Sequence, residues 1–393
     1  MSVSQNFPTI DPSLVLNFQN SKTLDPRITF TRGSIGTYVD VNGLIRTASA
    51  DQARFDHDPA TGESLGLLIE GGRTNLHLYS EQISSWSTET GGSVTANAQI
   101  SPDGNLTADV LTGTGYGSSA YLITSLLNAT TYTFSIFLKY IDGNENIEIQ
   151  IGDAPFARSI TRVNSQTGTL VYSSGGAAIV HPIKNYGNGW YRYSITRTTT
   201  AAGGGFIDIN HVSSTISNVA VWGAQIENGE FPTSYIPTTS SQITRVSDSA
   251  SVGGTNFANF YNPTEGTYII NYKRDYRGSS IHYPGLLYSY SLLVFGTGDV
   301  EGELVKNQNV NAQVSIGIAS STEFKKMAVM YNDYSYGGCL AGGPVIIGSG
   351  GFHPSLDTSI SFGTIQAPTA HTIKSLIYYP ERLTNTQLQT LTK

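Results

Sequence analysis

The densest group of titratable side chains in this 393-residue sequence is Asp56-His57-Asp58, followed at once by Pro59. Two carboxylates beside an imidazole could tune it for general acid–base work. Neighbours along a strand point to alternate faces, so these three do not converge on one substrate atom. With Pro59 and Gly62 close behind, the expected structure is a turn whose Asp side chains accept backbone N–H bonds. Asp142, Asn144 and Asn146, with Glu148 following, match the early positions of a calcium loop. That loop fails, because Ile147 stands where the sixth-position Gly belongs and Asp153 where the closing Glu belongs.

Metal and nucleophile chemistry find no better support. The histidines at 57, 77, 181, 211, 282, 353 and 371 stand singly, with no HExxH pattern. A single cysteine, Cys339, excludes an internal disulfide and a Cys-based zinc site, and in Gly337-Gly338-Cys339-Leu340 it is expected to be a small buried thiol. No GxSxG elbow, P-loop or dinucleotide fingerprint occurs, and the glycines at 113, 115 and 117 and at 296 and 298 lack a following helix. The expectation is therefore a protein without metal, cofactor or catalytic residues.

Binding is another matter. Tyr283, Tyr288 and Tyr290 form one Gly- and Ser-bordered group, and Tyr331, Tyr334 and Tyr336 form a second around Asp333. Tyrosine offers a ring to stack on a sugar face and a hydroxyl for its rim, but the same composition serves sheet packing or a subunit contact. Trp86, between Ser84-Ser85 and Ser87, is the most polar-embedded of the three tryptophans; Trp190 and Trp222 are expected in the core. If the chain holds a ligand, the expected residues are Trp86, Tyr283, Tyr288, Tyr290, Tyr331, Asp333, Tyr334 and Tyr336.

Strands must position these groups. Tyr132, Phe134, Ile136, Leu138 and Tyr140 share one face of a run whose other face carries Thr131, Thr133, Ser135 and Lys139, which predicts a half-buried antiparallel strand. Asp142-Gly143 and then Ile147, Ile149 and Ile151 predict the second arm of a hairpin. Further alternating runs lie at 190–196, 206–212, 219–226, 268–273 and 372–379. The one helix signal is terminal, where Thr384 and Gln387 form a capping box ahead of Leu388 and Leu391. The fold class is all-β, with short strands that point to β-sandwiches or jelly rolls after a turn-rich N-terminal segment. Composition shifts place units at 1–75, 76–246 and 247–393. The first is read as a docking segment whose strands could instead complete a neighbouring sandwich.

Composition narrows the partners. Charged residues are 13% of the chain, against about 25% in ordinary soluble domains, and 22 Lys and Arg against 29 Asp and Glu give a net charge of −7. Nucleic acid and anionic membrane surfaces both need clustered cations, which are absent, and no apolar run is long enough to span a bilayer. Residues 1–10 carry no secretory-signal pattern, so synthesis in a cytoplasm is expected.

Several phrases are more specific than composition: LDPRITFTR (24–32), RFDHDPATGESLG (54–66), GLLIEGGRTN (66–75), NGWYRYSIT (188–196), WGAQIENGEFPTSYIPT (222–238), EGTYIINYK (265–273) and SLIYYPERLTNTQLQTLT (375–392). In this order they resemble structural proteins of tailed bacteriophages, of the tail-fibre-like or minor virion kind. The family phrase has an acidic and a small residue where Gly71-Gly72 stand here. The resemblance implies a carbohydrate-binding-module-like jelly roll in the middle and a concanavalin-A/laminin-G-like sandwich at the end. It also implies a non-enzymatic virion component, assembled in the host cytoplasm, with other virion proteins as partners and host surface glycan as a further contact. Homo-oligomerisation is expected from exposed sheet edges, and a trimer by analogy with fibres. A head decoration protein, a polysaccharide depolymerase with binding modules and a free-standing lectin are the alternative readings.

Overall fold

A computed structural model describes residues 6–153, 157–175, 179–201, 203–276, 287–288, 292–297, 302–307, 312–317, 323–349, 357–362 and 370–393. Strands account for 54% of the chain and helices for 5%, so the class is all-β. Among the described residues the strands build two pairs of facing sheets.

In the middle of the chain a seven-stranded sheet runs in the order Ile179–Val180, Trp190–Thr198, Thr131–Asp142, Ser217–Asn228, Ala108–Gly113, Ser93–Gln99, with Lys184–Asn185 also paired to Trp190–Thr198. Opposite it a six-stranded sheet runs Thr169–Ser174, Ala157–Asn164, Asn146–Asp153, Gly203–His211, Ser119–Leu126, Ser87–Glu89. Phe134, Ile136 and Leu138 from one sheet meet Ile147, Ile149, Ile151, Ile207 and Ile209 from the other in one fully buried cluster. Alternation at period two made this possible, since it commits one face of each sheet to the shared interior.

Two expectations change here. The runs on either side of Asp142-Gly143 do not pair as a hairpin: Thr131–Asp142 lies in the seven-stranded sheet and Asn146–Asp153 in the six-stranded one. The connection is an arch between layers. Gly143 sits at φ +79°, where a Cβ would stand 2.3 Å from the Ile216 carbonyl oxygen. Nor is Thr131–Asp142 half-buried, because Thr133, Ser135 and Phe137 on its second face are also fully buried. Phe137 belongs to another cluster with Trp190, Trp222, Tyr186, Tyr235, Val39 and Ile45.

The cover over that second face comes partly from the first 75 residues, through the hairpin Gly36–Val39/Ile45–Ala48. The rest of that segment builds the C-terminal sandwich. Leu14–Asn17 and Ser64–Glu70 both pair with Ala370–Tyr379, and Arg54–His57 extends the same eight-stranded sheet. Thr29–Thr31 pairs with Ser249–Gly253 in the sheet opposite. Leu14, Leu16, Phe18, Leu67 and Ile69 accordingly share a core with Tyr268, Tyr331, Leu376 and Tyr378. At the far end Thr384 and Gln387 close the expected capping box on helix Asn385–Thr392, and Leu388 is buried.

Candidate functional site

Of the eight expected ligand-contact residues, Trp86, Tyr331 and Tyr336 are packed inside the fold. Trp86 is 5% exposed, and its indole meets the His77 ring edge-on at 5.4 Å and 83°, so it packs rather than presents a platform. Tyr331 and Tyr336 are register partners on the inner face of a hairpin and are buried, and the Tyr331 hydroxyl donates to the Asn262 carbonyl at 2.7 Å. Period two turned those two rings inward together, leaving Asp333 and Tyr334 at the exposed tip. There Asn332 Oδ1 accepts from the Tyr334 and Ser335 N–H groups at 3.0 and 2.8 Å, and Tyr334 is 82% exposed. Tyr288 lies in the strand Leu287–Tyr288; its side chain, and the whole of Tyr283 and Tyr290, fall outside the described residues. Trp190 and Trp222 are core residues whose indole N–H groups donate to the Ile100 carbonyl and the Thr107 hydroxyl, each at 3.1 Å.

In the Asp56–Asp58 cluster only Asp58 enters the expected turn, while Asp56 and His57 close the strand Arg54–His57. Asp56 Oδ1 accepts the Val39 N–H at 2.7 Å, and Asp58 Oδ1 accepts those of Ala60 and Thr61 at 3.0 and 2.9 Å. Asp56 is buried beneath its strand while His57 is only partly buried, on the alternate face.

A second ionic group, which spacing could not reveal, lies where the three segments meet. Arg54 pairs with Glu70 at 2.7 Å and with Asp248, Arg32 pairs with Asp248 at 3.1 Å, and Arg245 approaches Glu70 at 3.5 Å, all essentially inaccessible to solvent. Ser234 of the middle sandwich donates its N–H and hydroxyl to Glu70 at 2.8 and 2.6 Å. Burial disfavours the Glu70 anion, but Arg245, Arg54 and Ser234 outweigh it and hold its pKa below the usual carboxylate range. A carboxylate so held does not exchange protons near neutrality; this group joins segments. Beside it lies a cleft of about 60 Å³ bordered by Asp56, Glu70, Lys184, Arg192, Ser234 and Tyr235.

The outer face of the six-stranded sheet is different in kind. Its inward residues are the isoleucines of the core, so Glu148, Gln150, Arg162, Asp208, Asn210 and Tyr121 point away from it. Register sets them in two rows: Ser119, Asn210, Glu148, Arg162 and Tyr172 lie side by side, and next to them Tyr121, Asp208, Gln150 and Ile160. Arg162 donates from Nε and Nη2 to Glu148 Oε1 at 3.1 and 2.7 Å, and its guanidinium lies 6.0 Å from the Tyr172 ring centroid. Asn210 Nδ2 donates to Asp208 Oδ2 at 2.6 Å, while Asp208 Oδ1 is buried without a hydrogen-bond partner. Burial, opposed by the Asn210 bond and reinforced by Glu89, pushes the Asp208 pKa up to about 6. Tyr172 and Ile123 are half or more exposed at opposite sides of the ladder. Planar acceptors and donors between two apolar flanks make a surface that can hydrogen-bond hydroxyls while stacking on C–H faces. The sequence showed these residues only as the polar side of alternating strands, since the rows form by pairing of residues as far apart as Ser119 and Asn210.

No family model and no curated protein matches the chain. Among solved structures it is similar to the tandem CBM22-1–CBM22-2 domains of Xyn10C from Paenibacillus barcinonensis, at 10% identity and a TM-score of 0.26, over 79% of this chain and 98% of that one. The BppUct-A-L tripod from the baseplate of bacteriophage Tuc2009 gives 10% identity and a TM-score of 0.24, over 77% and 98%. A Trypanosoma rangeli sialidase gives 8% and 0.26, over 98% and 97%. Among the described residues no group of three or more His, Cys, Asp and Glu is placed to hold a metal, and no helix is long and apolar enough to cross a membrane.

Proposed function

We propose that this chain is a non-enzymatic structural component of a bacteriophage particle, of the tail-fibre-like or appendage kind, that contacts host surface glycan through the outer face of its six-stranded sheet. The particle assignment is supported by the ordered phrases from Leu24 to Thr392. The contact surface is supported by one observation above the rest: a sheet face carrying Glu148, Arg162, Asp208 and Asn210 around the buried Gln150, in register between Tyr121 and Tyr172. A pyranose needs a ring to rest on and planar groups to meet its hydroxyls, and both are present within two adjacent rows.

The test is retention of host polysaccharide by the purified chain, compared with Tyr121→Ala and Tyr172→Ala, together with location of the chain in images of the whole particle. Retention lost in both variants, with unfolding midpoints unchanged, supports the reading. Equal retention by all three proteins rejects the face as the contact surface, and release of saccharide product by the unaltered chain rejects the non-enzymatic assignment.

A further inference from the structure

Arg73 and Arg245 stand directly opposite each other in the two-stranded ladder formed by Arg73–Asn75 and Ile243–Arg245. They are 8% and 1% exposed. Two like charges in register are unfavourable even at a surface, and burial strengthens the repulsion. Glu227, Glu70 and Glu230 act on Arg73, and Glu70, Asp248 and Glu227 on Arg245, yet burial outweighs them at both. Both oxygens of Glu70 are taken up by Arg54 and Ser234, and Arg245 Nε comes no nearer to it than 3.5 Å. Glu227 accepts from the Thr233 N–H at 3.0 Å with one oxygen and from the Thr233 hydroxyl with the other. Arg245 Nη2 donates to the Gly71 carbonyl at 2.9 Å, but Arg245 Nη1 and both Nε and Nη2 of Arg73 are buried with no hydrogen-bond partner.

The Arg73 guanidinium is held in place all the same. Its centre lies 5.0 Å from the Phe231 ring centroid, and Gly229, at φ +143°, packs so closely that a Cβ there would come within 2.4 Å of Arg73 Nη2. Arg54, in the same seam, shows what full compensation looks like: burial opposes its charge, yet Asp248 and Glu70 raise its pKa. For Arg73 and Arg245 burial leads and the pKa of each falls, each guanidinium adding to the other's penalty.

We propose that Arg73 and Arg245 together bind a small inorganic anion of halide size, accepted by Arg73 Nε and Nη2 and by Arg245 Nη1. A spherical acceptor can take several N–H groups at once, and its charge offsets the paired guanidiniums that no protein carboxylate fully neutralises. The near-complete burial of both side chains favours a single-atom anion over phosphate or a sugar carboxylate. The site is separate from the sheet face and does not depend on the glycan reading.

Two measurements on the full chain test this. In thermal unfolding at constant ionic strength, replacing sodium gluconate with sodium chloride should raise the midpoint progressively, and Arg73→Gln should abolish the dependence. In crystals soaked in sodium bromide, an anomalous scattering peak should lie within hydrogen-bond reach of both guanidiniums. Identical midpoints in the two salts would overturn the proposal, as would water without anomalous signal at that position; the crystal experiment decides the matter even if Arg73→Gln does not fold.

Discussion

Arg54 and Asp248, 194 positions apart, form an ion pair from which solvent is wholly excluded, and Arg54 also carries Glu70 on its other arm. This pairing ties the first segment to the stretch that leads into the C-terminal sandwich, and Ser234 brings the middle sandwich to the same point. Removing one partner strands a buried charge. Asp248→Ala leaves both Arg32 and Arg54 short of an acceptor and should cost about 3–5 kcal/mol. Urea unfolding followed by fluorescence measures it, and a change under about 1 kcal/mol would mean that water enters the seam and screens the pair.

Deleting residues 1–75 should abolish cooperative folding of the C-terminal sandwich. Ala370–Tyr379 would lose both Leu14–Asn17 and Ser64–Glu70, and the core would lose Leu14, Leu16, Phe18, Leu67 and Ile69. Each fully buried aliphatic or aromatic side chain contributes about 1.5–3 kcal/mol, so the loss of these five is comparable to the whole stability of an ordinary domain. A single sharp calorimetric transition retained by the truncated chain would show that the segment is dispensable to the fold.

How much of this was legible in the sequence depends on the range over which each feature is fixed. Period two at Phe134, Ile136 and Leu138 and at Ile147, Ile149 and Ile151 identifies both strands and their buried faces. It cannot say whether two such strands pair edge to edge or stack face to face, since both arrangements need the same alternation and the same turn residues. Hence the hairpin expected at Asp142-Gly143 is an arch. The Thr384–Gln387 box is set by residues three apart and was readable in full. The Arg54–Asp248 pair and the row Tyr121, Asp208, Gln150 are made by topology alone. Tyr331 and Tyr336 misled because composition marks a tyrosine as suited to contact without showing which side of the strand it takes.

Gly143→Ala should destabilise the middle sandwich. The backbone there lies at φ +79°, and the added methyl would meet the Ile216 carbonyl oxygen and Ser217, backbone that cannot move without disturbing the pairing of Asp142 with Asn218. Strain at a positive φ alone costs about 1–2 kcal/mol, and the contact adds to it. Gly115→Ala, with nothing within 4 Å of its Cβ position and no positive φ, is the control and should leave the urea midpoint unchanged.

Acid should unfold the protein at milder pH than its ion pairs would suggest. Burial lowers the pKa of His77, His181 and His211 to about 4 and that of His371, also repelled by Arg274, to about 3. An unfolded histidine titrates near 6.5, so between those values the unfolded chain binds more protons. The stabilisation is therefore complete above pH 6.5 and drains away as pH falls towards 4, by roughly 1–3 kcal/mol for each histidine. Glu70 contributes only at the acid end of that window, since it stays ionised in the fold while its unfolded carboxyl begins to bind protons at about pH 4.3. Urea midpoints measured from pH 7.5 to 4.5 should fall steadily. His77→Phe, which keeps a ring against Trp86, should flatten part of the slope, and an unchanged slope would exclude His77 as a contributor.

Asp208 allows stability and contact to be separated. Burial lifts its pKa to about 6, so the folded chain binds the proton more tightly than the unfolded one, whose aspartate titrates near 3.9. The sign is opposite to that of the histidines: ionised Asp208 weakens the fold above pH 6, and the penalty disappears as pH drops below 4. Asp208→Asn should therefore raise the urea midpoint at pH 7.5 and leave it unchanged at pH 3.5. The same substitution replaces a carboxylate in the row shared with Tyr121 and Gln150 with a neutral amide, so it should also reduce retention of host polysaccharide and remove a dependence of that retention on pH near 6. A residue that costs stability at neutral pH while improving contact is what selection for binding leaves on a surface. A lower midpoint in Asp208→Asn at pH 7.5 would instead make Asp208 a structural support for Asn210, with no part in recognition.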